Sequence, residues 1–232
     1  MLSSSDRKRM KFTKVIGADN KKYEELYQQF CSYGYTKELC EEYADAFVNN
    51  VKKPEAGDII QLAAMYEAVY DYKSAVFYLD MLAEKKLSGE IKYHYCMKNL
   101  RALSLSGKWR DAEDFRTENI NFIQTYMEKK KLLNDDVDMH VALALVDCAA
   151  KRFSYAFKTM NFGYKPKGRN DEQLLRMFVA VVYIYYCSGD AEGLEQAVIN
   201  ARSCLKLFNE FRFTWSKEYY ESLVENAANG IL

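Results

Sequence analysis

The feature that most constrains the fold of this chain is a recurring spacing of small and aromatic side chains. In residues 57–87 a central alanine, Ala75, is preceded by Tyr72 three positions earlier, by Tyr66 nine earlier and by Ala63 twelve earlier. Related patterns are centred on four further anchor positions, which are Leu39, Ala112, Ala156 and Leu194. Successive anchors are 36, 37, 44 and 38 residues apart. Self-similarity at such a period predicts one supersecondary unit that recurs along the chain.

Each copy of the pattern is predicted to be a pair of helices joined by a tight turn. Ala63 and Tyr66 share one face of a first helix, because residues three and four apart are neighbours on a helix surface. Ala75 and Leu79 form the corresponding stripe of a second helix, and the alanines let the two backbones approach closely. Three copies carry a glycine five positions before the anchor, which suits a left-handed residue that ends the first helix: Gly34, Gly107 and Gly189.

The second helix of residues 57–87 is apolar on two faces. Besides the stripe that contains Ala75, it carries Phe77, Tyr78 and Met81. A single hairpin cannot bury both faces, whereas a series of stacked hairpins can. We therefore expect these three side chains to pack against the next hairpin.

The combination of small, aromatic and alanine positions resembles the tetratricopeptide repeat (TPR), a helix-turn-helix unit of about 34 residues. The resemblance covers about residues 21–208 and is strongest over residues 57–87. Asp147 departs from it, because it stands at the aromatic position of the copy anchored at Ala156. The resemblance implies an all-α fold, namely a right-handed α-α superhelix (TPR-like solenoid) of about five helical hairpins plus a C-terminal capping helix.

The predicted boundaries are a flexible basic tail over residues 1–18 and a TPR-like α-solenoid domain over residues 19–232. Asp58 and Asn170 each precede a glutamine by three positions, which predicts that helices begin there with a capping box. The segment 162–170 contains two glycines and a proline and is predicted to be a long loop. The capping helix is expected to present one apolar stripe to the core, formed by Trp215, Tyr219 and Leu223.

The composition favours a helical protein that does not insert into membranes. Two prolines and ten glycines interrupt 232 residues that are rich in helix formers. The six cysteines are scattered without a C-x-x-C pair, which is typical of buried, reduced thiols in a cytosolic protein. The longest apolar stretch, residues 174–187, is shorter than the ~20 residues that span a bilayer. We therefore expect a cytoplasmic protein.

The sequence contains none of the familiar nucleotide-binding, zinc-protease or hydrolase motifs, and we expect no enzymatic activity, cofactor or metal. His140 falls at a core-facing position of the repeat, which favours a packed, hydrogen-bonded side chain over a ligand or base. The carboxylates Asp135, Asp136 and Asp138 lack the spacing of a calcium loop, and acidic residues in the first turn of a helix complement its dipole.

In a TPR-like solenoid the first helices of the hairpins line the concave face, and this resemblance predicts a partner-binding groove. The groove residues that we predict are His94, Met97, Arg101, Arg176, Tyr183 and Tyr186. These side chains suit a protein or peptide segment that has an apolar face and an acidic group. Val141, Leu145 and Val179 fall on the same face, and the sequence leaves open whether they line the groove or pack inside the superhelix.

Two other functional hypotheses remain at this point. The chain could instead be one subunit of a larger assembly, docked by its edge or its capping helix. The other hypothesis is local nucleic-acid binding through the basic tail and the 162–169 loop, because that loop mixes aromatic and basic residues. With 33 basic and 33 acidic residues the chain has no global field to attract nucleic acid, which argues against this second hypothesis.

Overall fold

A computed structural model of the chain describes residue 29 and residues 36–50, 54–133, 136–163, 171–207 and 216–231. The described residues form helices joined by short connections and contain no strand, which confirms the predicted all-α class. The helices, numbered in chain order, are α1 Lys37–Asn50, α2 Ala56–Ala68, α3 Tyr72–Asp80, α4 Gly89–Leu105, α5 Trp109–Lys130, α6 Val137–Ala149, α7 Phe153–Gly163, α8 Asp171–Ser188, α9 Ala191–Leu207 and α10 Ser216–Ala228. The predicted tail over residues 1–18 lies outside the described ranges.

The chain divides into two compact units, residues 1–91 and residues 92–232. In the first unit α2 packs against α1 and α3. The ring of Tyr66 is buried and stacks on that of Tyr78, with centroids 5.4 Å apart. Phe77 and Met81 are 66% and 47% exposed. The hairpin that they were predicted to contact lies mostly in the second unit.

In the described part of the second unit, two clusters of buried apolar side chains surround helix α8. The first cluster lies among α6, α7 and α8 and includes Val141, Leu145, Ala156 and Ile184. The other lies among α8, α9 and α10 and includes Leu175, Val198 and Val224. Helix α8 contributes to both clusters, so it is the central helix of this part of the unit.

The turn between the two helices of a hairpin has the same backbone geometry in four places. Five positions before each anchor one residue has a positive φ, as predicted for two glycines: Tyr70 (62°), Gly107 (82°), Lys151 (58°) and Gly189 (73°). In each hairpin the anchor N–H donates to the carbonyl four positions earlier, at 3.1, 3.0, 3.1 and 2.9 Å for Ala75, Ala112, Ala156 and Leu194. The recurring pattern in the sequence therefore corresponds to a recurring local structure. Gly34 lies outside the described residues.

Two predicted helix starts have different outcomes. Helix α2 begins at Ala56, two residues before the predicted cap, so the assignment of Asp58 as the N-cap is wrong. Asp58 instead occupies the third helical position, where its Oδ2 accepts a hydrogen bond from the Glu55 N–H at 3.2 Å. Asn170 lies outside the described residues, and α8 begins at the next residue, Asp171.

The helix predicted at the C-terminus is α10, and it packs against α8 and α9. Its most buried stripe is formed by Tyr220, Val224 and Ala227, whereas Tyr219 and Leu223 are only partly buried. The predicted apolar stripe was thus displaced by one position around the helix. Trp215 lies outside the described residues.

The predicted loop at residues 162–170 begins later than expected, because residues 162 and 163 are the last two of α7. Residues 164–170 are outside the described ranges. Among the helices that the structure describes, none has both the length and the apolarity needed to cross a membrane.

Candidate protein-binding surface

The amino-terminal ends of three alternate helices of the second unit are joined by side-chain contacts. The hydroxyl of Tyr93 on α4 donates to Oδ2 of Asp136, the residue that precedes α6, at 2.8 Å. Nη1 of Arg176 on α8 lies 3.0 Å from Oδ2 of Asp138 on α6. The N-cap residue of α6 therefore contacts α4, and the first turn of α6 contacts α8, in both cases near the amino-terminal end of the neighbouring helix.

Helices α6 and α8 pack side by side. Their amino-terminal halves are linked by the pair of Asp138 and Arg176. Farther along, side chains of both helices share one buried apolar cluster.

The predicted groove residues lie in two groups on the two helices that flank α6. His94, Met97 and Arg101 are on α4, and Arg176, Tyr183 and Tyr186 are on α8. His94 is exposed, and the other five side chains are partly exposed. Each group shares a helix, and contacts to α6 connect the two helices that carry them.

Between these two groups the predicted face of α6 is closed by core packing. Val141 and Leu145 are buried against Ala180 and Ile184 of α8. For these two residues the interpretation as core is the right one, and Val179 is partly buried. Accessible polar and aromatic side chains of the candidate surface are thus supplied by α4 and α8.

Arg176 has an intramolecular partner at the candidate surface. Its side chain is 31% exposed and that of Asp138 is 28% exposed. An ion pair with this degree of exposure contributes up to about 1 kcal/mol to stability. A guanidinium offers five N–H donors, so a carboxylate from a partner can share Arg176 with Asp138 without replacing it.

A charged cluster that the sequence did not reveal surrounds Asp147, which is only 7% exposed. Its Oδ1 accepts hydrogen bonds from Nη1 of Arg116 on α5 at 3.0 Å, and from Nε and Nη2 of Arg152 at 3.1 and 2.8 Å. Arg152 also pairs with Glu113, and these hydrogen bonds raise its pKa. The cluster joins α5 to the α6–α7 turn and explains why an acidic residue replaces the aromatic of the repeat.

The remaining candidates from the sequence have structural roles. Asp136 caps α6, because its Oδ1 accepts a hydrogen bond from the Met139 N–H at 3.0 Å. His140 is partly buried, and its Nε2 lies 2.8 Å from the carbonyl oxygen of Leu133, in agreement with a packed, hydrogen-bonded side chain. Asp135 is outside the described residues. In the described ranges no group of His, Cys, Asp or Glu side chains is arranged to hold a metal ion.

One of the cysteines expected in the core is at the surface. Cys40, Cys96, Cys148 and Cys204 are buried as predicted, whereas Cys187 is exposed. The apolar pattern of this helix predicted a buried Cys187. The residue lies in the last turn of α8, where its side chain is exposed. Cys31 is outside the described residues.

Comparison with protein-family models, with curated proteins and with solved structures finds no match to this chain.

Proposed function

We propose that this chain is a non-enzymatic, TPR-like scaffold that binds a protein or peptide segment. The observation that carries the proposal is the arrangement of α4, α6 and α8, the first helices of three successive hairpins. Side-chain contacts join them near their amino-terminal ends. In a stack of helical hairpins, first helices lie side by side in this way and form one continuous face.

The chemistry of this face defines the partner that it fits. Tyr183, Tyr186 and Met97 supply partly exposed aromatic and apolar surface, while Arg101 and Arg176 supply cations. Aromatic and arginine side chains dominate the binding energy of many protein interfaces. The partner is therefore a segment with an apolar face and at least one carboxylate.

The proposal is tested by pull-down from native cell extract with matched variants. In the first variant Arg101→Glu is combined with Arg176→Glu, and in the control Arg110→Glu reverses an exposed charge on α5. We expect the double variant to lose specific proteins that the wild type and the control retain. Retention of the same proteins by all three would contradict the proposal, provided that circular dichroism and thermal melts show folded proteins.

Local nucleic-acid binding through the basic tail and the 162–169 loop is the competing hypothesis, and its residues lie mostly outside the described ranges. It predicts the opposite outcome in the same experiment. Deletion of residues 1–18 would then remove binding, the retained material would be sensitive to nuclease, and affinity would fall steeply with salt.

A further inference from the structure

Two aromatic side chains are exposed on the second helices of successive hairpins. Trp109, the first residue of α5, is 39% exposed, and Tyr155 on α7 is 59% exposed. In the described part of the second unit these are the two exposed residues among its tryptophans, tyrosines and phenylalanines. Cζ of Arg110 lies 5.1 Å from the centroid of the Trp109 ring. Because the candidate groove residues are on first helices, the two rings belong to a different surface.

The charged cluster around Asp147 holds the two rings near each other. Glu113 on α5 pairs with Arg152, the residue that directly precedes α7. Trp109 lies one turn before Glu113 on the same face of α5, since residues four apart are neighbours on a helix. Tyr155 lies one turn after Arg152, and its N–H donates to the Arg152 carbonyl at 3.0 Å. Each ring is therefore about 4.5–6 Å along the chain axis from the ion pair that joins α5 to the start of α7.

The surface around the rings is positively charged. Lys108, Arg110 and Lys151 are exposed, and none of the described carboxylates forms an ion pair with them. Residues 108–116 and 147–158 contain six basic and four acidic residues, a formal net charge of +2 in a chain whose overall charge is zero. A negatively charged partner is thus attracted locally, although the chain as a whole has no net field.

We propose that this surface, defined by Lys108, Trp109, Arg110, Lys151 and Tyr155, binds single-stranded nucleic acid. Bases stack on the two rings, and the three cations contact the phosphates beside them. Stacking on an exposed ring works with any base, because every base has a flat π-face, so the site is expected to have little sequence preference. The site goes beyond the proposed protein-binding function and uses neither the tail nor the loop of the competing hypothesis.

The test is fluorescence anisotropy of a fluorescein-labelled oligo(dT) of about 20 nucleotides, titrated with the full-length protein at about 50 mM salt. Loss of both rings in the double variant Trp109→Ala, Tyr155→Ala should weaken binding by about tenfold or more. The double variant Lys108→Glu, Lys151→Glu should weaken it as much and flatten its salt dependence. For the wild type, the slope of log affinity against log salt should be about −2, which corresponds to three phosphate contacts at about −0.7 each.

Two exposed residues of α9 provide matched controls. Ile199→Ala removes exposed apolar surface and Lys206→Glu reverses an exposed charge, and both variants should bind as the wild type does. Because the chain has two tryptophans, Trp215→Phe leaves Trp109 as the single reporter. Stacking of a base on this ring should quench the fluorescence of that variant when oligo(dT) binds.

Three outcomes would overturn the proposal. The first is the absence of salt-sensitive binding by the wild type, and the second is unchanged affinity in the ring variant when circular dichroism shows that it is folded. The third is displacement of the probe by polyglutamate as efficiently as by unlabelled oligo(dT), which would assign the surface to acidic polypeptides. Loss of binding on deletion of residues 1–18, without an effect of the ring variant, would be a case of the second outcome and would place binding in the tail.

Discussion

Arg176 on α8 pairs with Asp138 in the first turn of α6, with Nη1 and Oδ2 3.0 Å apart. Arg176 was expected on the groove face, but the sequence pattern did not indicate that it would contact Asp138. The contact places the cation of the candidate surface beside an acidic group of the same protein. In the proposed binding mode, a partner's carboxylate would share Arg176 with Asp138.

Exchange of both residues of this ion pair is expected to preserve stability, whereas each single substitution is expected to lower it. Arg176→Asp places two carboxylates together, and Asp138→Arg places two guanidinium groups together. Each single variant should lose about 1 kcal/mol, and the double variant should recover most of that loss. Urea denaturation of the four proteins measures the coupling free energy. A coupling near zero would show that the contact between Asp138 and Arg176 does not contribute to stability in solution.

Neutralising Asp147 is expected to cost more than neutralising an exposed carboxylate. Asp147→Asn keeps the size of the side chain but removes one of the two anions that Arg116 and Arg152 share, so that only Glu113 remains. Because the two guanidinium groups are partly exposed, we expect the free energy of unfolding to fall by about 1–2 kcal/mol. Asp114→Asn, at an exposed position on α5, is the control and should change it by less than about 0.5 kcal/mol. Equal effects in chemical denaturation would contradict a special role for Asp147.

The repeated turn predicts opposite effects of glycine substitution at equivalent positions of two hairpins. Lys151 is exposed and has a φ of 58°, a conformation that glycine adopts without steric cost, so Lys151→Gly should stabilise the protein by about 0.5–1 kcal/mol. Gly107→Ala should destabilise the protein by a similar amount. A Cβ at this position meets no atom within 4 Å, so the cost comes from the positive φ of 82°, which alanine adopts only with strain. Thermal melts of both variants measure these effects. Changes of the same sign would contradict a shared turn geometry.

The reactivity of Cys187 is expected to depend on pH with a midpoint well below that of an ordinary thiol. Hydrogen bonds from Cys148 and Tyr183 lower the pKa of Cys187 to about 7, so its rate of alkylation by iodoacetamide should rise with pH and level off above that value. Removing one donor with Tyr183→Phe should move the midpoint upward. An unchanged midpoint in this variant would show that the Tyr183 hydroxyl does not stabilise the thiolate.

Local features of the fold could be predicted because they depend on residues close together in sequence. The positive φ at Gly107 and Gly189 follows from their distance to the anchors. Errors of one or two positions arose at Asp58 and in α10. There the competing candidates are adjacent residues, and only packing decides which of them caps a helix or faces the core.

What the sequence determined by itself is the helical class and the recurring turn, since periodicity and turn residues act within a few positions of the chain. The tertiary structure alone decided which distant side chains meet: Asp138 with Arg176, and Asp147 with Arg116. Periodicity assigns a residue to a face of its helix, but the neighbour of that face is set by how the helices are placed against each other. For this reason the ion pairs of the second unit became visible only in three dimensions.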